Sequence, residues 1–177
     1  MELVTFAQLS QRFTSDKVNL CTTDTHELIF EDRVRMACFN CGHYDQNWKC
    51  PPKLPNLNYA KMISEFDNAA FVWVEYSLNK DNYADVRTES TNTLHKTLLA
   101  MEQYLLENGC PIYLSFIGGS CKLCKTGCGK DKCNNPYQSR SPLEATGVNV
   151  VKSAAKYGIH IEFPARERLI RLGLILW

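Results

Sequence analysis

The sequence predicts an α/β (α+β) sandwich, built on a mixed sheet of about four strands with flanking helices and two irregular cysteine-rich, metal-binding loops. Residues 69–117 follow a strand, helix, strand pattern. Hydrophobic residues make up 45% of the 177-residue chain, which is enough for an apolar core without disulfides or metal. Most of the nine cysteines fall in two loops, residues 34–55 and 118–136. Because one domain typically has about 150 residues, we expect residues 1–177 to form a single domain.

The strand, helix, strand unit is the clearest local pattern. Residues 69–78 are apolar, aromatic and β-branched over the length of a strand, and residues 111–117 are also strand-like. Between them, apolar residues recur at steps of four, three and four, which places them on one stripe of a helix: Leu94, Leu98, Met101 and Leu105. Asn108-Gly109 ends that helix. The unit predicts two parallel strands with a right-handed crossover.

Shorter elements flank this unit. Residues 5–15 and 59–68 are expected to form short helices. The segment 141–144, Ser-Pro-Leu-Glu, has the order of an N-cap, a proline at the first helical position and a capping-box glutamate. We therefore expect a helix from this segment to about residue 157. Two strand-like pieces complete the C-terminal region, residues 159–163 and 169–177.

Charge and composition exclude several classes of protein. Lys plus Arg number 20 and Asp plus Glu 19, so the net charge of +1 gives no basic field for nucleic acid or anionic lipid. The N-terminal residues lack a secretory signal, and no stretch approaches the ~18 apolar residues of a membrane span. We expect a cytoplasmic protein, where clustered thiols act as metal ligands or redox groups more often than as disulfides. No Walker, dinucleotide-binding or nucleophile-elbow motif is present.

The second cysteine loop is the strongest metal-binding signal. Its spacing is C-x2-C-x3-C-x4-C, with the thiols of Cys121, Cys124, Cys128 and Cys133. A short loop can send successive thiolates to the separate irons of a 4Fe-4S cubane. One zinc ion needs four sulfurs converging at about 2.3 Å, an arrangement usually supplied by two separate knuckles. The spacing favours a 4Fe-4S cluster, with zinc or a metal-free redox thiol cluster as alternatives. Gly118 and Gly119 are candidate cofactor-binding residues, because glycine lets backbone N–H groups approach cluster sulfurs.

The first loop carries three thiols, those of Cys38, Cys41 and Cys50, with C-x2-C-x8-C-P-P spacing. Three cysteines hold three corners of a cubane and leave one iron for an external ligand, a substrate or a residue from elsewhere. The candidates for that corner are Cys21, Cys110, His43, Asp45 and any cysteine of the second loop. In two-cluster ferredoxins the cysteine before proline ligates the other cluster. The position of Cys50 in the first loop therefore does not show which cluster Cys50 ligates.

Taken together, these residues resemble a known family. The similarity rests on Cys38-x2-Cys41-Gly-His-Tyr44 with Trp48-Lys-Cys50-Pro-Pro, on Phe116-x-Gly118-Gly119-x-Cys121-x2-Cys124, and on Arg140 followed by Glu144-Ala-x-Gly-Val-Asn-Val. The chain resembles the cysteine-rich predicted metal-binding proteins of anaerobic bacteria and methanogenic archaea, domain of unknown function 2284. The resemblance implies metal or iron-sulfur binding and an anaerobic, cytosolic setting. It implies no reaction.

Three functions are compatible with the sequence. The first is cytosolic redox or electron transfer by one or two 4Fe-4S clusters, with the lysines of the second loop docking an acidic redox partner protein. The second is an enzyme whose open iron binds a small substrate, while His43, Asp45 or Arg140 moves protons or fixes an anion. The third is an interaction module in which a zinc ion only fixes the loops and a partner binds the surface. Arg140 is otherwise expected to pair with Glu144, and His95 to be solvated.

Overall fold

A computed structural model describes residues 4–79 and 81–177. Its centre is a four-stranded sheet with spatial order β1-β2-β4-β3, formed by β1 (Val18–Thr23), β2 (Ala69–Ser77), β3 (Leu114–Phe116) and β4 (Arg168–Leu176). The α+β fold with four strands is therefore as predicted. Every strand pairing is antiparallel, whereas a mixed sheet was expected.

The sheet topology explains this difference. Strands β2 and β3 both run antiparallel to β4, so they are parallel to each other, as the strand, helix, strand pattern predicted. They are not neighbours, because the C-terminal strand β4 lies between them. Local patterns carry no information about a strand that is inserted from the far end of the chain.

Five α-helices accompany the sheet: α1 (Phe6–Phe13), α2 (Asp32–Phe39), α3 (Tyr59–Ile63), α4 (Tyr83–Glu107) and α5 (Val150–Ala155). The long helix α4 buries its predicted stripe completely, since Leu94, Leu98, Met101 and Leu105 are all 0% exposed. Within the described residues, none of the helices has the length and apolar character needed to cross a bilayer.

Two apolar cores lie on opposite faces of the sheet. Val72 and Ile175 belong to the core that contains the α4 stripe. Phe71 and Leu174, their neighbours in sequence, belong to the core that contains Ala154 of α5. Successive strand residues point to opposite faces, which is why β2 and β4 are apolar almost without interruption.

The segment after the second loop differs from the prediction. Leu143 donates its N–H to the Ile117 carbonyl at 2.8 Å, so this segment extends beside the end of β3. Only a single 3-10 turn, Glu144–Thr146, follows, and Gly147 then takes a φ of 98° that a right-handed helix cannot continue through. Helix α5 starts later, with the Asn149 side chain accepting from the Lys152 N–H as its N-cap.

Other boundaries also differ. Helix α2 occupies part of the region predicted as the first loop, strand β1 was not predicted, and residues 159–163 form no strand. Strand β1 lies at the sheet edge with four of its six residues only half-buried or exposed, so its apolar signal is weak.

Candidate metal centre

The first cysteine loop starts on a helix. Cys38 is the penultimate residue of α2, and Cys41 follows the end of that helix, where its N–H donates to the Cys38 carbonyl at 3.1 Å. The loop then turns back, and the Asp45 N–H donates to the Pro51 carbonyl at 2.9 Å. Cys50, in the returning part of the loop, is buried and lines the same cavity as Cys41.

The second loop leaves the end of β3 and is held by hydrogen bonds to its own sulfurs. Asn135 donates from Nδ2 to the Cys124 Sγ at 3.2 Å. The Cys133 Sγ lies 3.4 Å from the Ser139 hydroxyl, within hydrogen-bonding distance. Outer contacts of this kind orient ligating sulfurs and tune the group that they hold.

Side chains of the first loop tie the two loops together. The Asn47 amide donates to the Cys121 carbonyl at 3.1 Å, and the Trp48 indole N–H donates to the Gly129 carbonyl at 2.7 Å. Lys53 lies over the Trp48 ring at 4.7 Å from its centroid. The polar edge of Trp48 therefore connects the two loops.

The thiols of the two loops face two adjoining cavities. The first, which we call the triad cavity, has a volume of about 530 Å³ and is lined by Cys38, Cys41 and Cys50. The second, the tetrad cavity, has a volume of about 860 Å³ and is lined by Cys121, Cys124, Cys128 and Cys133. Three residues line both cavities and form the wall between them: His43, Ser120 and Lys122.

Cys50 lies where the two groups of thiols meet. Burial raises the pKa of its thiol to about 12, and thiolates from both loops, those of Cys38, Cys41, Cys121 and Cys128, act in the same direction. Burial likewise raises the pKa of Cys38 and of Cys121. Crowded, partly desolvated thiols disfavour the thiolate unless a cation stabilises it, and a bound metal supplies that charge.

The donor set matches thiolate-bound metal groups. All nine cysteines are free of disulfides. Within residues 4–79 and 81–177, no three Cys, His, Asp or Glu side chains converge as one metal ion would need. Seven sulfur donors around the two cavities are the ligand type of soft, thiolate-bound metals.

The other sequence candidates lie outside this group or at its margin. Cys21, on β1, and Cys110, in the core that contains α4, line neither cavity. Asp45 forms an ion pair with Lys53 at 3.3 Å. Only His43, in the shared wall, remains next to both groups of thiols.

Arg140 and His95 hold the end of the second loop on α4. Arg140 pairs with the buried Glu102 of α4, with Nε donating to Oε1 at 2.8 Å, so the expected pairing with Glu144 was wrong. The same guanidinium donates to the Ser139 carbonyl at 2.9 Å. His95, expected to be solvated, is 1% exposed, with Nε2 at 2.7 Å from the Gln138 carbonyl. Both residues position the backbone that follows Cys133.

The two candidate glycines contact a residue that sequence reasoning missed. An added Cβ at Gly118 would lie 2.5 Å from the Leu172 carbonyl oxygen and 2.9 Å from Cδ of Arg171. Gly119 has a φ of 75°, and its added Cβ would lie 3.1 Å from Nη1 of Arg171. The pair therefore makes room for the Arg171 side chain beside the loop. Arg171 is detectable in sequence as an arginine inside the apolar strand LIRLGLIL.

Comparison with known proteins supplies one match. A family profile described as predicted metal-binding protein (DUF2284) matches residues 22–177. The match includes both cysteine loops, strands β2, β3 and β4, and the last two residues of β1. Searches against curated proteins and against solved structures found no match.

Proposed function

Because the chain belongs to the predicted metal-binding family DUF2284, we propose that it is an iron-sulfur protein of cytosolic redox chemistry. The four thiols of the tetrad cavity would hold one 4Fe-4S cluster. The three thiols of the triad cavity would hold three corners of a second. Such clusters accept and release single electrons, and this chain's residues would set their exposure and their hydrogen bonds.

One observation carries this proposal. Seven cysteines from two loops that are far apart in the sequence line two adjoining cavities, while the remaining two cysteines line neither. A purely structural role in packing would not require this segregation, because free cysteine usually behaves as a small buried hydrophobe. The C-x2-C-x3-C-x4-C spacing of the second loop supports a multi-iron cluster over one tetrahedral zinc ion.

The surface of the second loop supports electron transfer to an acidic partner. Lys125, Lys130 and Lys132 are exposed and lie within eight residues of one another, with only Asp131 of opposite charge in that stretch. Weak redox encounters rely on such complementary charge to raise the association rate. We expect electron transfer to an acidic partner to slow steeply as salt increases.

A second candidate function is an enzyme that uses an open iron on a small substrate. The triad cavity favours it, because the cavity offers three thiols instead of four and its volume of about 530 Å³ is that of a small-molecule site. Of the residues proposed from sequence to act on a substrate, only His43 lines this cavity; Asp45 and Arg140 are engaged in ion pairs.

The decisive experiment is anaerobic purification followed by iron, zinc and acid-labile sulfide analysis with electron paramagnetic resonance. We expect iron and sulfide, with a paramagnetic signal after reduction. Cys38→Ala and Cys41→Ala should remove one signal, and Cys121→Ala and Cys124→Ala the other. Cys50→Ala should reveal which cluster it ligates.

Cys110→Ala is the matched control, because this thiol is buried in the apolar core away from both cavities. It should keep full iron content. Protein that contains zinc without iron or sulfide would overturn both redox proposals. Iron that survives every loop substitution would place the metal outside the seven cysteines and would also overturn them.

A further inference from the structure

The triad cavity contains a set of charges that the cysteines do not explain. Three basic residues from separate elements line it: Arg87 of α4, Lys122 of the second loop and Arg171 of β4. Glu144 lines the same cavity. Among the described residues, none of these four takes part in an ion pair. The remaining charged residues of the wall, Glu31 and Arg33, are paired with each other at 2.9 Å.

The three cations are close enough to repel one another. Lys122 lies within electrostatic range of both Arg87 and Arg171, and all three line the cavity. Burial lowers the pKa of Arg171 against the opposing effect of Glu144. The Arg171 Nε is buried and has no hydrogen-bond partner among the described residues. Apart from the thiols and the paired charges, the cavity wall therefore sets three crowded cations against one acidic residue, Glu144, an arrangement that favours a bound anion.

The position of Arg171 depends on the neighbouring backbone. Gly118 and Gly119 leave the space that its side chain occupies, since a Cβ at either residue would collide with it or with its strand. Glu144 accepts weakly from the Gly119 N–H at 3.5 Å and acts electrostatically on both Arg171 and the Cys38 thiol. Glu144 is therefore near both Arg171 and the Cys38 thiol.

Much of the remaining wall is apolar. Val34 and Ala37 of α2, Tyr44, Pro142 and Ala145 line the cavity beside the charges. A concave site with apolar walls and a few convergent charged groups is the usual form of a site for small organic molecules.

We propose that the triad cavity binds a small organic anion, whose carboxylate or phosphate group contacts Arg87, Lys122 and Arg171 and whose apolar body lies against α2. This inference deepens the second proposed function by giving the substrate class of the open site. Anion binding itself needs no cluster, so it can fail or succeed independently of the iron-sulfur proposal.

The test is isothermal titration calorimetry on anaerobically purified protein with benzoate, phenyl phosphate, inorganic phosphate and neutral benzamide. We expect benzoate or phenyl phosphate to bind saturably and benzamide not to bind. The stronger of the two anions identifies the charged group, and weaker binding of inorganic phosphate supports the apolar contact. Lys122→Met and Arg171→Met should each weaken binding about tenfold, as loss of a charge-assisted hydrogen bond predicts.

Two further variants guard against misfolding. Burial raises the pKa of Glu144, so Glu144→Gln should tighten anion binding severalfold at a pH where this carboxyl group is ionised, a gain that a misfolded protein cannot produce. Lys125→Met, an exposed lysine of the same loop that does not line the triad cavity, should leave affinity unchanged. The absence of saturable binding by any probe, or equal weakening by Lys125→Met, would overturn the inference.

Metal analysis of the same samples separates the two proposals. Zinc-loaded protein that still binds the anion through Lys122 and Arg171 would retain this inference and refute the iron-sulfur function. Iron-loaded protein that binds no anion would refute this inference and retain the iron-sulfur function.

Discussion

The indole N–H of Trp48 donates a hydrogen bond to the backbone carbonyl of Gly129 at 2.7 Å, which joins the two cysteine loops across 81 positions of sequence. Neither residue lies in a helix or strand. The relative position of the triad and tetrad cavities therefore depends on side-chain contacts between loops, of which this one and the Asn47 contact with Cys121 are the clearest.

Trp48→Phe keeps an aromatic ring under Lys53 and removes the N–H donor. We expect a loss of about 1 kcal/mol in the free energy of unfolding, because one net hydrogen bond disappears and the Gly129 carbonyl loses its partner. Urea denaturation measures the change. Trp73→Phe is the control, since Trp73 makes no side-chain hydrogen bond among the described residues. Equal losses in both variants would contradict a specific role for the inter-loop bond.

The ion pair between Arg140 and Glu102 is buried, with side-chain exposures of 18% and 5%. Arg140→Met leaves the Glu102 carboxylate in the core with only Ser115 as a donor. We expect a loss of about 3 kcal/mol in denaturant unfolding, as is typical when one partner of a buried pair is removed.

The matched control for Arg140 is Arg168→Met. Arg168 pairs with Glu75 at 3.1 Å, and both side chains are at least 40% exposed. Exposed pairs contribute about 1 kcal/mol or less, so the free energy of unfolding of this variant should be close to that of the wild type. A small effect at Arg140 would show that water reaches Glu102.

Gly173 lies where β4 passes under α4. An added Cβ would be 2.5 Å from the Phe116 carbonyl oxygen and 2.9 Å from a Leu98 methyl carbon. Gly173→Ala should lower the free energy of unfolding by about 1–3 kcal/mol through overpacking. Gly42→Ala is the control, because nothing lies within 4 Å of its added Cβ. Thermal unfolding that shifts equally in both variants would refute the packing argument.

Glu31 couples α2 to α5. Hydrogen bonds from Arg33, Lys152 and Asn149 hold the pKa of Glu31 below its ordinary value. Because the folded-state pKa lies below the unfolded one, the stabilisation is present above the unfolded value of about 4.3 and is lost as the pH falls below it. Glu31→Gln should therefore make the free energy of unfolding less dependent on pH between about pH 5 and pH 3. An unchanged pH dependence, measured by urea denaturation at each pH, would contradict this role.

Removal of metal should affect the loops before the sheet. The seven loop cysteines lie beside the cavities, whereas β2 and β4 pair along their whole length and are packed between the two apolar cores. After anaerobic chelation, we expect amide exchange to accelerate in residues 38–55 and 118–140 and to stay slow in β2 and β4, because local opening follows local stability. Uniform acceleration would mean that metal stabilises the whole fold.

The elements with long apolar patterns followed from sequence. Three elements bury so many residues that the burial is visible as an apolar pattern in the sequence: the α4 stripe, strand β2 and the C-terminal strand β4. The helix expected from residue 141 did not form, because pairing of Leu143 with Ile117 and the left-handed Gly147 outweigh a favourable capping pattern. Strand β1 escaped prediction since an edge strand buries few side chains.

The sequence by itself identified a metal-binding protein, because clustered thiols in short loops are ligands for soft metals. It also determined the main helix and the central strands, since their periodicity reflects burial along one element. Only the tertiary structure decided that Cys50 faces thiols of both loops and that Arg87, Lys122 and Arg171 share a cavity. Those relationships join residues more than thirty positions apart, and long-range proximity leaves no periodic trace in a single chain.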